Sequence, residues 1–212
     1  RDGGQPGPRT SGQGGVKVST SAGAMAGVRD YRLADDQAAL WPLGQAGFLI
    51  RGGGVTVAID PYLTDSVGKA SPAFARAVPS PIEPEDLQVD MFVVTHDHLD
   101  HLDPETIGRY RHPASTRFVA PRLACRRLRE LGIPSENVLR VDAGDEAELY
   151  GIRLRGVYAV PTGPDVLDTC GYRLELPGGK SVYHSSDTAW SDLLERAAPR
   201  AQVLLVCING KY

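Results

Sequence analysis

The chain is short of cysteine and of surplus charge, and it has no long apolar run; each shortage removes a class of protein. Only three cysteines occur in 212 residues. Cys125, Cys170 and Cys207 are odd in number and widely spaced, with no CxxC pair, so no disulfide framework is expected and they read as reduced thiols of a cytoplasmic protein. The formal net charge of −3 supplies no basic surface for nucleic acid. No apolar run approaches the ~20 residues of a membrane span, and the first residues show no basic-then-apolar signal pattern. Twenty-four glycines and sixteen prolines favour many turns between short elements over a long helical bundle.

Residues 1–24 are rich in Gly, Ser, Pro and Gln and nearly free of large apolar side chains. Such a composition cannot offset its ordering entropy, and a disordered tail is expected there, ahead of one domain over 25–212. GFLIRGGGVTVAID (Gly47 to Asp60) predicts two strands around a glycine-rich turn. MFVVT (Met91 to Thr95) predicts a strand buried on both faces. Asp103-Pro104-Glu105 combines a cap, a first-position proline and a first-turn acid, the start of a helix. PRLACRRLRELG (Pro121 to Gly132) predicts an amphipathic helix with Leu123, Leu128 and Leu131 on its apolar side and Gly132 ending it. VLRV, AELY, IRLRGVYAV, CGYRLEL and SVYHS follow as strands, the last two joined by the hairpin LELPGGKSV. SDLLERAA predicts a short helix capped by Ser191, and QVLLVCIN (Gln202 to Asn209) a further buried strand. The order mixes crossover helices with antiparallel hairpins.

Three of the five histidines fall within His96-Asp97-His98-Leu99-Asp100-His101. The segment follows a buried strand and precedes a helix, at the strand's carboxyl end, where α/β folds build sites. Residues two apart in an extended turn project to one side, so His96 and His98 can reach one ion. Asp100 and His101 fall on the following bend, where they can face a second. Imidazole and carboxylate suit divalent Zn, Mn or Fe. Leu99 is expected to point into the core and brace the loop. His184 reads either as a neighbour of the site or as a hydrogen-bonding residue of its strand, and His112 is given no chemistry.

THDHLDHLD resembles the signature of the metallo-β-lactamase superfamily. GFLIRGGGVTVAIDPYL, RFVAPRLACRRLRELGIP, SVYHSSDTAW and CINGKY, between Trp41 and Tyr212, resemble its branch containing L-ascorbate-6-phosphate lactonase. The resemblance implies a mixed α/β fold, an αββα sandwich, holding one or two divalent ions. It makes His96 and His98 ligands of the first ion, Asp100 and His101 ligands of the second, and Asp187 the carboxylate bridging both; the alternative for Asp187 is a helix cap. Asp60 resembles an acid that supports the ligands from behind, or is a plain turn residue. The family's further histidine is missing, since Thr162 or Gly163 stands in its place, with Asp165 or Asp168 as candidate oxygen ligands. The closing strand, helices and last histidine are expected beyond Tyr212, which would leave QVLLVCIN as an edge open to a second copy of the chain. Asn209, Lys211 and Tyr212 would lie on the site's rim, with Lys211 able to meet an anionic group.

The implied activity is hydrolysis of a small molecule, with a metal-bound hydroxide attacking a lactone or ester-like carbonyl and Asp100 orienting that nucleophile or accepting its proton. No GxSxG elbow supports a covalent serine route. The rivals are a phosphodiester hydrolase on the same scaffold and a non-catalytic metal-binding protein.

Overall fold

In the computed structural model, which describes residues 20–208, two sheets lie face to face. The first runs β1 (Ala38–Gly44), β2 (Gly47–Gly52), β3 (Val55–Ile59), β4 (Met91–Val93), β5 (Arg117–Ala120) and β6 (Val138–Arg140), side by side in chain order. β1, β2 and β3 pair antiparallel, and β3 to β6 pair parallel. Gly53 and Gly54, with φ of 57° and 80°, make the tight turn that joins β2 to β3, a conformation that side-chain-bearing residues resist. The parallel strands need crossovers: a long segment with the short helix α2 (Ser66–Ala70) joins β3 to β4, α3 (Pro104–Arg109) joins β4 to β5, and α4 (Arg122–Glu130) joins β5 to β6.

The second sheet is built from β7 (Glu146–Leu149), β8 (Ile152–Tyr158), β9 (Cys170–Glu175), β10 (Ser181–His184) and β11 (Val203–Leu205), in the order β11-β10-β9-β8-β7. Its strands alternate as a one-sided sheet should: in β8, Ile152 and Leu154 are buried while Arg153 and Arg155 face out. Ile50, Val57, Ile59, Met91 and Val93 of the first sheet meet Ile152, Leu154, Tyr172, Leu174 and Val182 of the second in one apolar cluster. On the far side of the first sheet, Leu49, Ala58, Phe92 and Phe118 pack with Met25 and Val28 of α1 (Ser21–Asp30), Ile107 of α3 and Leu128 of α4. Leu194 of α5 (Asp192–Ala197) lines a hollow with Tyr183 and Val206 beyond the second sheet. The layers are therefore helix, sheet, sheet, helix, the αββα arrangement the sequence implied.

Several expectations are corrected. The expected disordered tail gives way at Ser21 to α1, whose first turn is capped by Thr20 accepting from the Gly23 N–H. Burial of Met25 and Val28 pays the ordering entropy that composition alone appeared unable to cover; residues 1–19 lie outside the described residues. β1 escaped the sequence reading because Pro42 argues against a central strand, and the strand is in fact an edge. α4 buries Ala124, Cys125 and Leu128, while Leu123 and Leu131 are half-buried. Among the described residues of QVLLVCIN only Val203–Leu205 forms a strand, at the sheet's edge, and Leu204 and Ile208 are 56% and 87% exposed. That segment is half-covered rather than buried on both faces. Asn209, Lys211 and Tyr212 lie outside the described residues. Among the described residues no helix is long and apolar enough to cross a membrane.

Candidate metal centre

The site begins at Asp60, directly after β3, where the backbone takes a φ of 43° that a side-chain-bearing residue seldom adopts. Its carboxylate is fully buried and accepts from the Thr95 backbone N–H at 2.8 Å, from the Thr95 hydroxyl at 2.7 Å and from His101 Nδ1 at 2.8 Å. Thr95 sits just past β4, and its carbonyl accepts from the Cys170 N–H of the second sheet. The site is thus anchored to both sheets.

After Thr95 the chain turns back on itself. The N–H groups of His101 and Leu102 both donate to the His98 carbonyl, at 3.0 and 2.8 Å. This turn buries His101 and Leu102 and leaves Leu99 52% exposed, so Leu102 braces the loop and not Leu99 as expected. Asp103 fixes the downstream end. Its buried carboxylate accepts from the Glu105 and Thr106 N–H groups and from the hydroxyls of Thr64, Ser66 and Thr106.

These contacts set the tautomers of two imidazoles. The single Thr95 hydroxyl proton goes to Asp60, so Thr95 Oγ1, 3.0 Å from His96 Nδ1, accepts there, and His96 carries its proton on Nδ1. Ser186 Oγ lies on the same nitrogen at 3.3 Å. His101 likewise gives Nδ1–H to Asp60. Both rings therefore present Nε2 to the cavity: His96 Nε2 is 2.9 Å from His98 Nδ1, and His101 Nε2 is 3.5 Å from Asp187 Oδ2. One ligand atom from each of His96, His101 and Asp187 lies within 4.8 Å of the others.

Electrostatics follow the geometry. Burial alone would push His101 down, but the Asp60 and Asp187 carboxylates hold it well above the ordinary histidine range. Burial, then the charge on His101, press His96 down to about 3. Burial would raise Asp187, but the hydrogen bond and charge of His101, with His96 and His98, hold it at about 2. Asp60 is also lowered: burial opposes, and His101 outweighs it. The cluster sets the Asp60 and Asp187 carboxylates around a protonated His101, a state in which a divalent cation can take the proton's place.

Of the residues singled out in the sequence, His96, His101 and Asp187 come together. His98 joins them through His96 and on its other side meets Asp165, at 3.2 Å. Asp100 lines, with His101, His184, Ser186 and Asp187, a cavity of about 460 Å³. Asp168 is used elsewhere: it accepts from the Leu123 N–H at the start of α4. The helix-cap alternative for Asp187 fails, because Ser191 caps α5. Asp60 is no plain turn residue. Both readings of His184 hold: it borders the site's cavity and ties β10 to the β1–β2 turn by donating to the Ala46 carbonyl at 2.9 Å and accepting from the Ser186 N–H at 3.1 Å. Thr95 and Ser186 were missed. Thr95 carries a faint signal, since it directly precedes the first histidine; Ser186 carries none, because its role depends on a φ of 63°.

The match to a family model described as a Beta-lactamase superfamily domain covers residues 56–211. A UPF0173 metal-dependent hydrolase of Hyperthermus butylicus is 33% identical over 177 residues, covering 80% of this chain and 71% of the relative. Among solved structures, one described as a possible metal-dependent hydrolase from Veillonella parvula is 25% identical with a TM-score of 0.59, covering 72% of this chain and 64% of the other. The isothiocyanate hydrolase from Delia radicum gut bacteria superposes with a TM-score of 0.60 at 22% identity, covering 77% and 69%, and at that identity shows a likeness of fold. The chain thus spans between 64% and 71% of the length of these three proteins.

Proposed function

This chain belongs to the beta-lactamase superfamily, and on that premise we propose that it is a metal-dependent hydrolase acting on a lactone or other ester-like small molecule. The observation that carries the reading is the convergence of His96, His101 and Asp187 within 4.8 Å, with both imidazoles backed by hydrogen bonds on Nδ1. Two imidazole nitrogens and a carboxylate are a fitting donor set for Zn, Mn or Fe. A carboxylate holding the far nitrogen of a ligating histidine, as Asp60 holds His101, fixes its orientation and raises its basicity. We assign His96, His98, Asp100, His101 and Asp187 as the residues that would hold one or two ions.

A divalent ion bound there supplies Lewis acidity and makes water acidic enough to lose a proton near neutral pH. The protein's own groups do the rest. With two ions bound, the Asp187 carboxylate would offset the repulsion between them. Asp60 and Thr95 keep both imidazoles in one tautomer through the cycle. Asp100, on the cavity wall, accepts a proton from the attacking water and returns it to the leaving oxygen. The cavity of about 460 Å³ is of a size for a small molecule. The resemblance to the lactonase branch supports a cyclic ester among the candidates.

The test is turnover of a panel of lactones and aryl esters, set against a bis-aryl phosphodiester, by metal-loaded protein. Hydrolysis of the carbonyl substrates with little of the phosphodiester is expected. The reverse preference would make the site a phosphodiesterase, and bound metal with no turnover at all would make it a non-catalytic metal-binding protein.

A further inference from the structure

We propose that the substrate is an uncharged ester or lactone with an apolar acyl chain, seated against Phe48, Leu205, Val206 and Ile208; this deepens the hydrolase reading above and rests on it. Beyond Asp100, His101 and Asp187, the cavity is lined by Gln45 and Ala46 of the β1–β2 turn, by Phe48 of β2, and by Leu205 to Ile208 in and after β11. Phe48 is half-buried. Its ring stands edge-on to His184 at 6.2 Å, and His184 is itself tied to Ala46. One wall of the cavity is therefore a braced aromatic side chain. The other is a short apolar segment whose Val206 and Ile208 are 53% and 87% exposed. Contiguous exposed apolar surface beside a polar site is where ligands bind.

Charge points the same way. Among the described residues that line the cavity there is no lysine or arginine, while Asp100 and Asp187 are acidic. Arg76, which lies against Gly44 of the same turn, gives its guanidinium to the carbonyls of Leu43, Tyr62 and Val78. A phosphate or carboxylate on the substrate would lose hydration and meet the acids Asp100 and Asp187, with no lysine or arginine among the described residues that line the cavity. An alkyl chain laid on Phe48 and Val206 gains from leaving water. The reaction needs no further reactant: the water oxygen bonds to the acyl carbon, the acyl C–O bond breaks, one water proton ends on the leaving alcohol oxygen and the other is released by the acid.

The experiment uses the metal-loaded full chain with p-nitrophenyl acetate, butyrate, hexanoate and octanoate, with γ-lactones of increasing alkyl length, and with a phosphorylated lactone matched to a neutral one. kcat/KM is expected to rise about fourfold for each methylene added until the wall is covered, the equivalent of ~0.8 kcal/mol each. The phosphorylated lactone should be at least about tenfold slower than its neutral match, the size of one unmet polar group. Phe48→Ala should reduce the octanoate-to-acetate ratio, and Phe48→Arg should narrow or invert the preference for the neutral lactone. Rates that do not depend on chain length, or a preference for the phosphorylated lactone in the unaltered protein, would overturn the apolar wall while leaving the hydrolase reading intact. Turnover of none of these compounds would overturn both.

Discussion

His101 Nδ1 lies 2.8 Å from Asp60 Oδ2, and the two side chains are 1% and 0% exposed. The carboxylate reaches across from the end of β3 to a histidine six residues past Thr95, and the imidazole it holds turns Nε2 toward Asp187. Asp60→Asn keeps the shape of this contact and removes its charge. Metal affinity should fall roughly 10- to 100-fold, the usual effect of losing a partner behind a ligating histidine. Competition against a chelating indicator measures this; an unchanged affinity would show that Asp60 serves folding alone.

Asp187 and Ser191 should separate cleanly. Asp187→Ala is expected to lower metal content and remove most turnover with the fold intact. Ser191→Ala, which deletes the cap of α5, should cost about 1 kcal/mol of stability with metal content unchanged. Equal metal content in Asp187→Ala and the parent would remove Asp187 from the ligand set.

Asp103 holds the loop's exit through two N–H groups and three hydroxyls. Asp103→Ala therefore strips a helix cap and leaves buried hydroxyls without their acceptor. A loss of about 2–4 kcal/mol in urea unfolding is expected. A loss under ~1 kcal/mol would mean that water replaces the carboxylate.

Burial pushes His184 below its ordinary value of 6.5, and it is neutral inside the fold. As pH falls through about 6.5 the unfolded chain takes up a proton that the folded chain refuses. Stability is therefore fully present above that pH and declines below it, by up to ~1.4 kcal/mol per pH unit, until the folded pKa is reached. In metal-free protein His96 acts in the same sense; His101, raised in the fold, contributes stability below about 6.5 that is lost as pH rises. His184→Gln should flatten the decline between about pH 5 and 6.5. Melting temperatures that fall as steeply in the variant as in the parent would assign the decline elsewhere.

How far the sequence could be read depended on periodicity. The strand before HDHLDH, the helix after it, and the hairpin at PGG leave patterns in residue type, and the structure forms them. Asp187 was legible only through the resemblance of SVYHSSDTAW to the family's acidic motif, since residue type alone left it equally a helix cap. Directions inside irregular loops have no period. Nothing in the string says that Leu102 turns inward and Leu99 outward, or that Thr95 donates to Asp60 and accepts from His96. α1 was hidden because its burial rests on just two side chains, Met25 and Val28. β11 was overread, since an apolar run looks alike whether one face is covered or two.

Metal content tests the central claim most directly. After dialysis against buffer with Zn or Mn, elemental analysis of the parent should find one or two ions per chain, His96→Ala and His101→Ala should lose most of that metal, and His112→Ala should match the parent. A parent that takes up no metal, or a His112→Ala variant depleted as far as His96→Ala, would contradict a metal centre in this loop.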